Sequence, residues 1–188
     1  VSGLVMFQVI LLTLMGSNNS SREIAGERQI FEKEKLGGVR PLVYLTSKLA
    51  FLSVLVVIQS VWMAIFVQSI CKLPLESFFP HVILLLLVNG AKTADQASLR
   101  SIYLVGFQLP LSGAVLALPE WAGWLTRPFI SAYWTWAGSM DGMENNYLRW
   151  IKEVTDTWLA PMWLCIIVLL VHVAIGLFIA YIGVKRPR

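Results

Sequence analysis

Charge is scarce in this chain of 188 residues: 14% are Asp, Glu, Lys or Arg, against 57% apolar. An ordinary soluble domain carries about 25% charged residues, so that balance excludes one, and the same apolar surplus excludes disorder. Cysteine is limited to Cys71 and Cys165, too few for a disulfide scaffold. Histidine is limited to His81 and His172, and with His-Glu-x-x-His and Cys-x-x-Cys both missing no metal site is expected. The sequence has no Gly-x-x-x-x-Gly-Lys-Ser/Thr loop, so it does not hold ATP in the P-loop manner by itself. Its 15 Lys and Arg exceed 11 Asp and Glu, for a formal charge of +4. These charges gather at the ends of apolar stretches instead of forming one patch, which argues against nucleic acid and fits a membrane protein obeying the positive-inside rule. The composition therefore leaves an all-α, polytopic membrane domain.

What is present is a series of long apolar runs. Crossing a hydrocarbon core of about 30 Å takes about 20 helical residues. Five stretches meet or approach that: Val1 to Met15, Leu42 to Ile70, Phe78 to Ala91, Ile102 to Leu118 and Trp158 to Val184. The first has neither a basic leader nor a small-residue cleavage site, so it reads as the partial tail of a longer helix and not as a signal peptide. Pro41 suits the first turn of the second stretch, behind the breaker Gly37-Gly38. The third has about 14 residues, or about 21 Å, and is short for a span. Lys and Arg concentrate between Arg22 and Lys48, at Lys92 and Arg100, and in the tail Lys185, Arg186 and Arg188. That pattern puts these segments and the C-terminus in the cytoplasm and lets all five spans alternate. Asn18-Asn19-Ser20-Ser21 contains glycosylation sequons, but on the cytoplasmic side, where they are chance matches.

Ser20-x-x-Glu23 matches a capping box and predicts a helix from Ser20 to about Leu36, stopped by Gly37-Gly38. Read by spacing alone, it is either a solvated helix lying on the headgroups or a docking element for a cytoplasmic partner. Its wording is more specific. Glu27-Arg28-Gln29-Ile30-Phe31-Glu32-Lys33-Glu34 is followed by Tyr44-Leu45-Thr46-Ser47-Lys48, and later Gly106-Phe107-Gln108-Leu109-Pro110-Leu111-Ser112 leads to Pro119-Glu120-Trp121-Ala122-Gly123-Trp124. In these two places the chain resembles the membrane domain of ATP-binding-cassette exporters of the G subfamily, the type-2 exporter permease family. The resemblance covers most of residues 1–188, from the end of the family's second helix through its sixth. It implies a single permease domain that works as a dimer with a second half. The family's first helix would lie on the N-terminal side of the given residues, and its nucleotide-binding domain, which carries ATP and Mg, would be a fused or separate partner.

The resemblance further implies that residues 20–40 form a cytoplasmic coupling helix, with Glu27, Arg28, Phe31 and Glu34 as contacts to the nucleotide-binding domain. It also implies that residues 119–157 form an external, interfacial segment with short re-entrant helices before the last span. One departure is the third stretch, shorter than the family's fourth helix, which suggests that residues are absent between it and the next. Seven of eight tryptophans lie between Trp121 and Trp163, which reads as an interface belt in which Trp121, Trp124, Trp134 and Trp136 seat those helices. Polar residues inside apolar stretches are the default functional candidates: Gln59, Gln68, His81, Asn89, Gln108, Ser112 and His172. If the family layout holds, Gln59 and Gln108 line a substrate path; interhelical hydrogen bonding is the other use of such residues. Two alternatives from different classes remain. One is an intramembrane serine protease using Ser112 and His172, against which Pro110 replaces the glycine expected two residues before the serine. The other is a non-transporting membrane anchor or receptor. A bacterial inner membrane is the expected location, given short outer segments without paired cysteines.

Overall fold

A computed structural model describes residues 2–20, 22–23, 26–72, 75–94, 120–141 and 158–185. Among these the chain is helical and without strands: α1 (Ser2–Ser20), α2 (Arg28–Leu36), α3 (Pro41–Cys71), α4 (Phe78–Ala94), α5 (Glu120–Thr126), α6 (Ser131–Asp141) and α7 (Met162–Lys185). Two of them, over Pro41–Cys71 and Met162–Ile182, are long and apolar enough to cross a membrane. Within their apolar windows 28% and 22% of the residues are buried, so both helices leave most of their apolar surface uncovered by the rest of the described chain. Their outer faces carry Phe51, Val54, Ile58, Trp62 and Phe66 on α3, and Trp163, Ile167, Val171 and Phe178 on α7, all exposed. Patches of that extent need an apolar solvent or a partner.

The five-span reading is only partly met. The first stretch folds as α1, which runs five residues beyond Met15 to Ser20. The third folds as α4, which continues past Ala91 to Ala94 and reaches about 26 Å over its 17 residues. The fourth, Ile102 to Leu118, lies outside the described residues, as does most of the 119–157 segment beyond α5 and α6.

The capping-box expectation is wrong. Ser20 is the last residue of α1, its hydroxyl is buried with no partner among the described residues, and α2 begins only at Arg28, after Glu27. Between them the chain turns sharply at Gly26, where a Cβ would stand 2.5 Å from the Arg22 carbonyl oxygen. Only glycine fits so close an approach. α2 ends at Gly37-Gly38 in a Schellman motif: Gly38 N–H donates to the Lys35 carbonyl (3.1 Å), Val39 N–H to the Glu34 carbonyl (3.2 Å), and Gly38 takes a φ of +93°. α3 then starts with Pro41 in its first turn, where the missing N–H costs nothing.

α4 is the hub of the bundle, packed against α1, α3, α6 and α7. The larger core joins Val5, Met6, Val9 and Leu12 of α1 to Leu84, Leu85 and Val88 of α4, Tyr133, Trp136, Ala137 and Met140 of α6, and Cys165 and Leu169 of α7. A smaller cluster of Phe31, Leu45, Leu52 and Ala180 ties α2 to the start of α3 and the end of α7. The two clusters define opposite ends: α6 with the N-termini of α1, α4 and α7 at one, α2 with the N-terminus of α3 and the C-terminal part of α7 at the other.

Candidate functional site at the junction of α2 and α3

The α2–α3 junction brings together residues from both halves of the first sequence pattern. Phe31 is buried, its ring stacked on that of Tyr44 with centroids 4.2 Å apart and planes at 27°. One turn further along α3, the Lys48 ammonium lies 2.5 Å from Glu27 Oε2 and 3.4 Å from Glu23 Oε2. Helical spacing explains the arrangement. Tyr44 and Lys48 are four residues apart on one face of α3, as Glu27 and Phe31 are on the approach to α2, so a ring and a charge from each side meet. The ion pairs are partly exposed, with 21% of the Lys48 side chain accessible, and their role is to orient α2 more than to stabilise the fold.

Of the contacts expected to face a partner, Glu27 and Phe31 are therefore turned toward α3, and Arg28 opens α2. Glu34 is exposed and lends its carbonyl to the Schellman turn. The exposed surface of α2 instead includes Gln29, Ile30, Lys33 and Leu36, with Ile30 58% and Leu36 91% accessible. The sequence pattern identified the junction but not which side chains it leaves free.

Two polar nodes cross the interior. At the α2 end, Gln59 Oε1 accepts from Asn19 Nδ2 and Asn89 Nδ2, both at 3.4 Å. Asn89 also donates to Ser60 Oγ (3.4 Å), which donates to the Leu85 carbonyl (3.3 Å). Gln59 thus joins α1, α3 and α4. At the opposite end His81 lies between Gln8 and Ser139, Nε2 at 3.1 Å from Gln8 Oε1 and Nδ1 at 2.9 Å from Ser139 Oγ. The tautomer carrying the proton on Nε2 donates to Gln8 and accepts the Ser139 hydroxyl, which is shared with the Thr135 carbonyl at 2.8 Å. Sequence reasoning missed Gln8, Asn19 and Ser139. Gln8 and Asn19 are eleven residues apart on α1, three turns on one face, and that spacing is the signal that could have found them.

The tryptophan belt divides. Trp121 and Trp124 of α5 are exposed, at 74% and 70%, and Trp124 stacks on Trp158 with centroids 6.3 Å apart. Trp134 and Trp136 are buried, donating their indole N–H groups to the Arg127 carbonyl (2.8 Å) and Ser2 Oγ (3.0 Å). Correcting the belt reading, only the first pair is placed to sit at an interface. The Tyr133 hydroxyl donates to the Trp158 carbonyl, closing α6 onto the approach to α7.

Gln108 and Ser112 lie outside the described residues. The His172 ring donates from Nδ1 to the Val168 carbonyl of its own helix at 2.8 Å, an intrahelical contact that gives the protease alternative no support. No protein-family model matches the chain, and no curated protein matches it either.

Proposed function

We propose that the chain is the transmembrane half of an ATP-driven exporter of the G-subfamily, type-2 permease kind, in which α2 is the coupling helix. The observation that carries this reading is the α2–α3 junction. The sequence patterns behind the resemblance, Glu27 to Glu34 and Tyr44 to Lys48, form one contact cluster through Phe31–Tyr44 and Glu27–Lys48. A helix clasped in this way to the first turns of a long apolar helix passes a push from outside the bilayer directly to the span.

In this reading five spans cross the membrane, with Ile102 to Leu118 as the fourth, and α5 and α6 are the re-entrant elements. Lys33, Lys35, Arg40 and Lys48 cluster at the α2 end, against Lys72 and Arg127 at the α6 end. The positive-inside rule then puts α2 and the C-terminus in the cytoplasm of a bacterial cell. ATP and Mg bind on a nucleotide-binding domain, fused upstream or separate, and two permease halves enclose the path. Gln59, with Gln108, contributes polar groups toward that path.

The test is to isolate the native polypeptide from its membrane and sequence the peptides that accompany residues 1–188. A phosphate-loop peptide in the same chain, or in a subunit that copurifies, is expected, together with vanadate-sensitive ATP hydrolysis. A purified complex with neither overturns the reading and leaves the membrane anchor. Labelling of Ser112 by a fluorophosphonate would turn it toward the protease.

A further inference from the structure

We infer that α5 and the turn after it hold the phosphate of a membrane phospholipid, in the leaflet opposite α2, with the Arg127 guanidinium as its ligand. Such a site requires only that the chain lies in a bilayer, which the exporter reading shares, and not that it exports.

The depth of α5 follows from its contacts. Trp124 stacks on Trp158, and the Tyr133 hydroxyl donates to the Trp158 carbonyl, four residues before α7 begins at Met162. α7 is one of the two helices long and apolar enough to cross a membrane, and Trp163 in its first turn is exposed. α5 and Arg127 therefore stand where that apolar span starts, at the level of lipid headgroups. The exposed side of α5 suits this level. Trp121, Trp124 and Leu125 share one face at spacings of three and four residues, all exposed, and exposed Phe129 follows in the turn beyond. Gly123, on the opposite face, is buried. A helix that turns its aromatic and aliphatic side chains outward and its smallest residue inward is built to enter an interface.

Arg127 brings a cation to this apolar rim, and the fold holds it in place. Its carbonyl accepts from the Ile130 N–H at 3.2 Å and from the Trp134 indole at 2.8 Å, which fixes the backbone. Its guanidinium carbon lies 5.4 Å from the centroid of the Tyr133 ring, and a Cβ on Gly123 would stand 3.0 Å from Nη2 and 3.1 Å from Cζ. The cation is thus positioned by the bare backbone of α5 and an aromatic face, neither of which neutralises it. Among the described residues no carboxylate is paired with it, and Asp141, at the same end, is committed to the Met162 N–H at the start of α7. The side chain is half-buried, which leaves part of its planar fork of donors accessible. A guanidinium at headgroup depth is matched by a phosphate diester, which accepts two parallel N–H bonds while the neighbouring rings cover the glycerol and the first acyl carbons.

Lipid retention by the native full-length polypeptide, purified with whatever subunits accompany it, tests this. The probes are phosphatidylglycerol, digalactosyldiacylglycerol with the same acyl chains and no phosphate, and inorganic phosphate. Retained lipid is counted by native mass spectrometry as each is titrated. Phosphatidylglycerol is expected to fill a saturable site that Arg127→Gln weakens by about fivefold to tenfold, the scale of one cation at a lipid surface, with galactolipid retention unchanged. Gly123→Ala keeps the charge but puts a methyl where the guanidinium lies, and should give a smaller loss at unchanged thermal stability. Where Arg127→Gln does not fold, Gly123→Ala decides. Equal retention of both lipids by the unsubstituted protein overturns the inference, as does phosphatidylglycerol binding that the deciding substitution leaves unchanged. Displacement of the lipid by inorganic phosphate at equal concentration also overturns it, by making this a site for free anions. Glu120 opens α5, and a loss in Glu120→Gln equal to that in Arg127→Gln would make the two a pair within the chain and overturn it too. The exporter reading is tested separately, by whether a phosphate-loop domain accompanies the chain, and survives each of these results.

Discussion

α3 and α6 invert the pattern expected of a water-soluble protein. α3 is rich in Val, Leu and Ile, yet exposes Phe51, Val54, Val57, Ile58, Trp62, Ile65 and Phe66. α6, Ser-Ala-Tyr-Trp-Thr-Trp-Ala-Gly-Ser-Met-Asp, mixes hydroxyls, small residues and aromatics, and every residue from Ser131 to Met140 is buried. The difference teaches what the interior selects for. In a bilayer, lipid tails are as apolar as leucine, so apolar side chains gain little by turning inward. Small residues that let helices approach, and polar groups that find partners, are sorted inward instead. Gly138 of α6 illustrates this, since a Cβ there would lie 3.0 Å from both Cys165 Cβ and Leu84 Cδ1.

Three substitutions probe the contrast, each read as a change in unfolding free energy of the purified protein in detergent or bilayer. The largest effect is expected for Trp136→Ala, which empties the largest fully buried side chain and strands the Ser2 hydroxyl. A loss of about 3 kcal/mol is expected, toward the lower end of aromatic-to-alanine costs because the cavity contribution survives in lipid better than the transfer contribution. Gly138→Leu comes next, forcing α6 away from α4 and α7 for about 1–3 kcal/mol. If it were neutral, the close approach of these helices would be incidental. Trp62→Leu on α3, where the side chain is 69% accessible, should change stability by less than about 0.5 kcal/mol. A loss comparable to that at Trp136 would mean that a partner, not lipid, covers α3.

The long apolar helices were the most legible part of the sequence. Leu42 to Ile70 was expected and Pro41–Cys71 is found, because Pro41 and the glycines before it fix one end and an apolar run of that length has no alternative to a helix. The helix stop at Gly37-Gly38 was legible for a similar reason, since a left-handed residue is needed and Gly38 supplies it. The start of α2 was not. Ser20 and Glu23 have the spacing of a capping box, but α1 continues through Ser20 while its other residues pack on α3 and α4, and packing outweighs a local cap. Trp134 and Trp136 were misread in the same manner: composition marks tryptophan as interfacial, but the Arg127 carbonyl and the Ser2 hydroxyl let each bury its N–H.

By itself, then, the sequence determined that the chain is helical, that α3 and α7 are suited to lipid, and that a charged helix is set off by glycines between two apolar stretches. These follow from local chemistry: run length, charge density and turn residues act within a few positions of themselves. The tertiary structure alone decided that Phe31 and Glu27 serve α3 and leave Ile30, Lys33 and Leu36 outward. It alone joined Gln8 to His81 and Asn19 to Gln59, and buried α6 on all sides. Those outcomes depend on which surfaces meet across distances of up to 134 residues, as between Ser2 and Trp136, and no local pattern encodes the meeting of two faces.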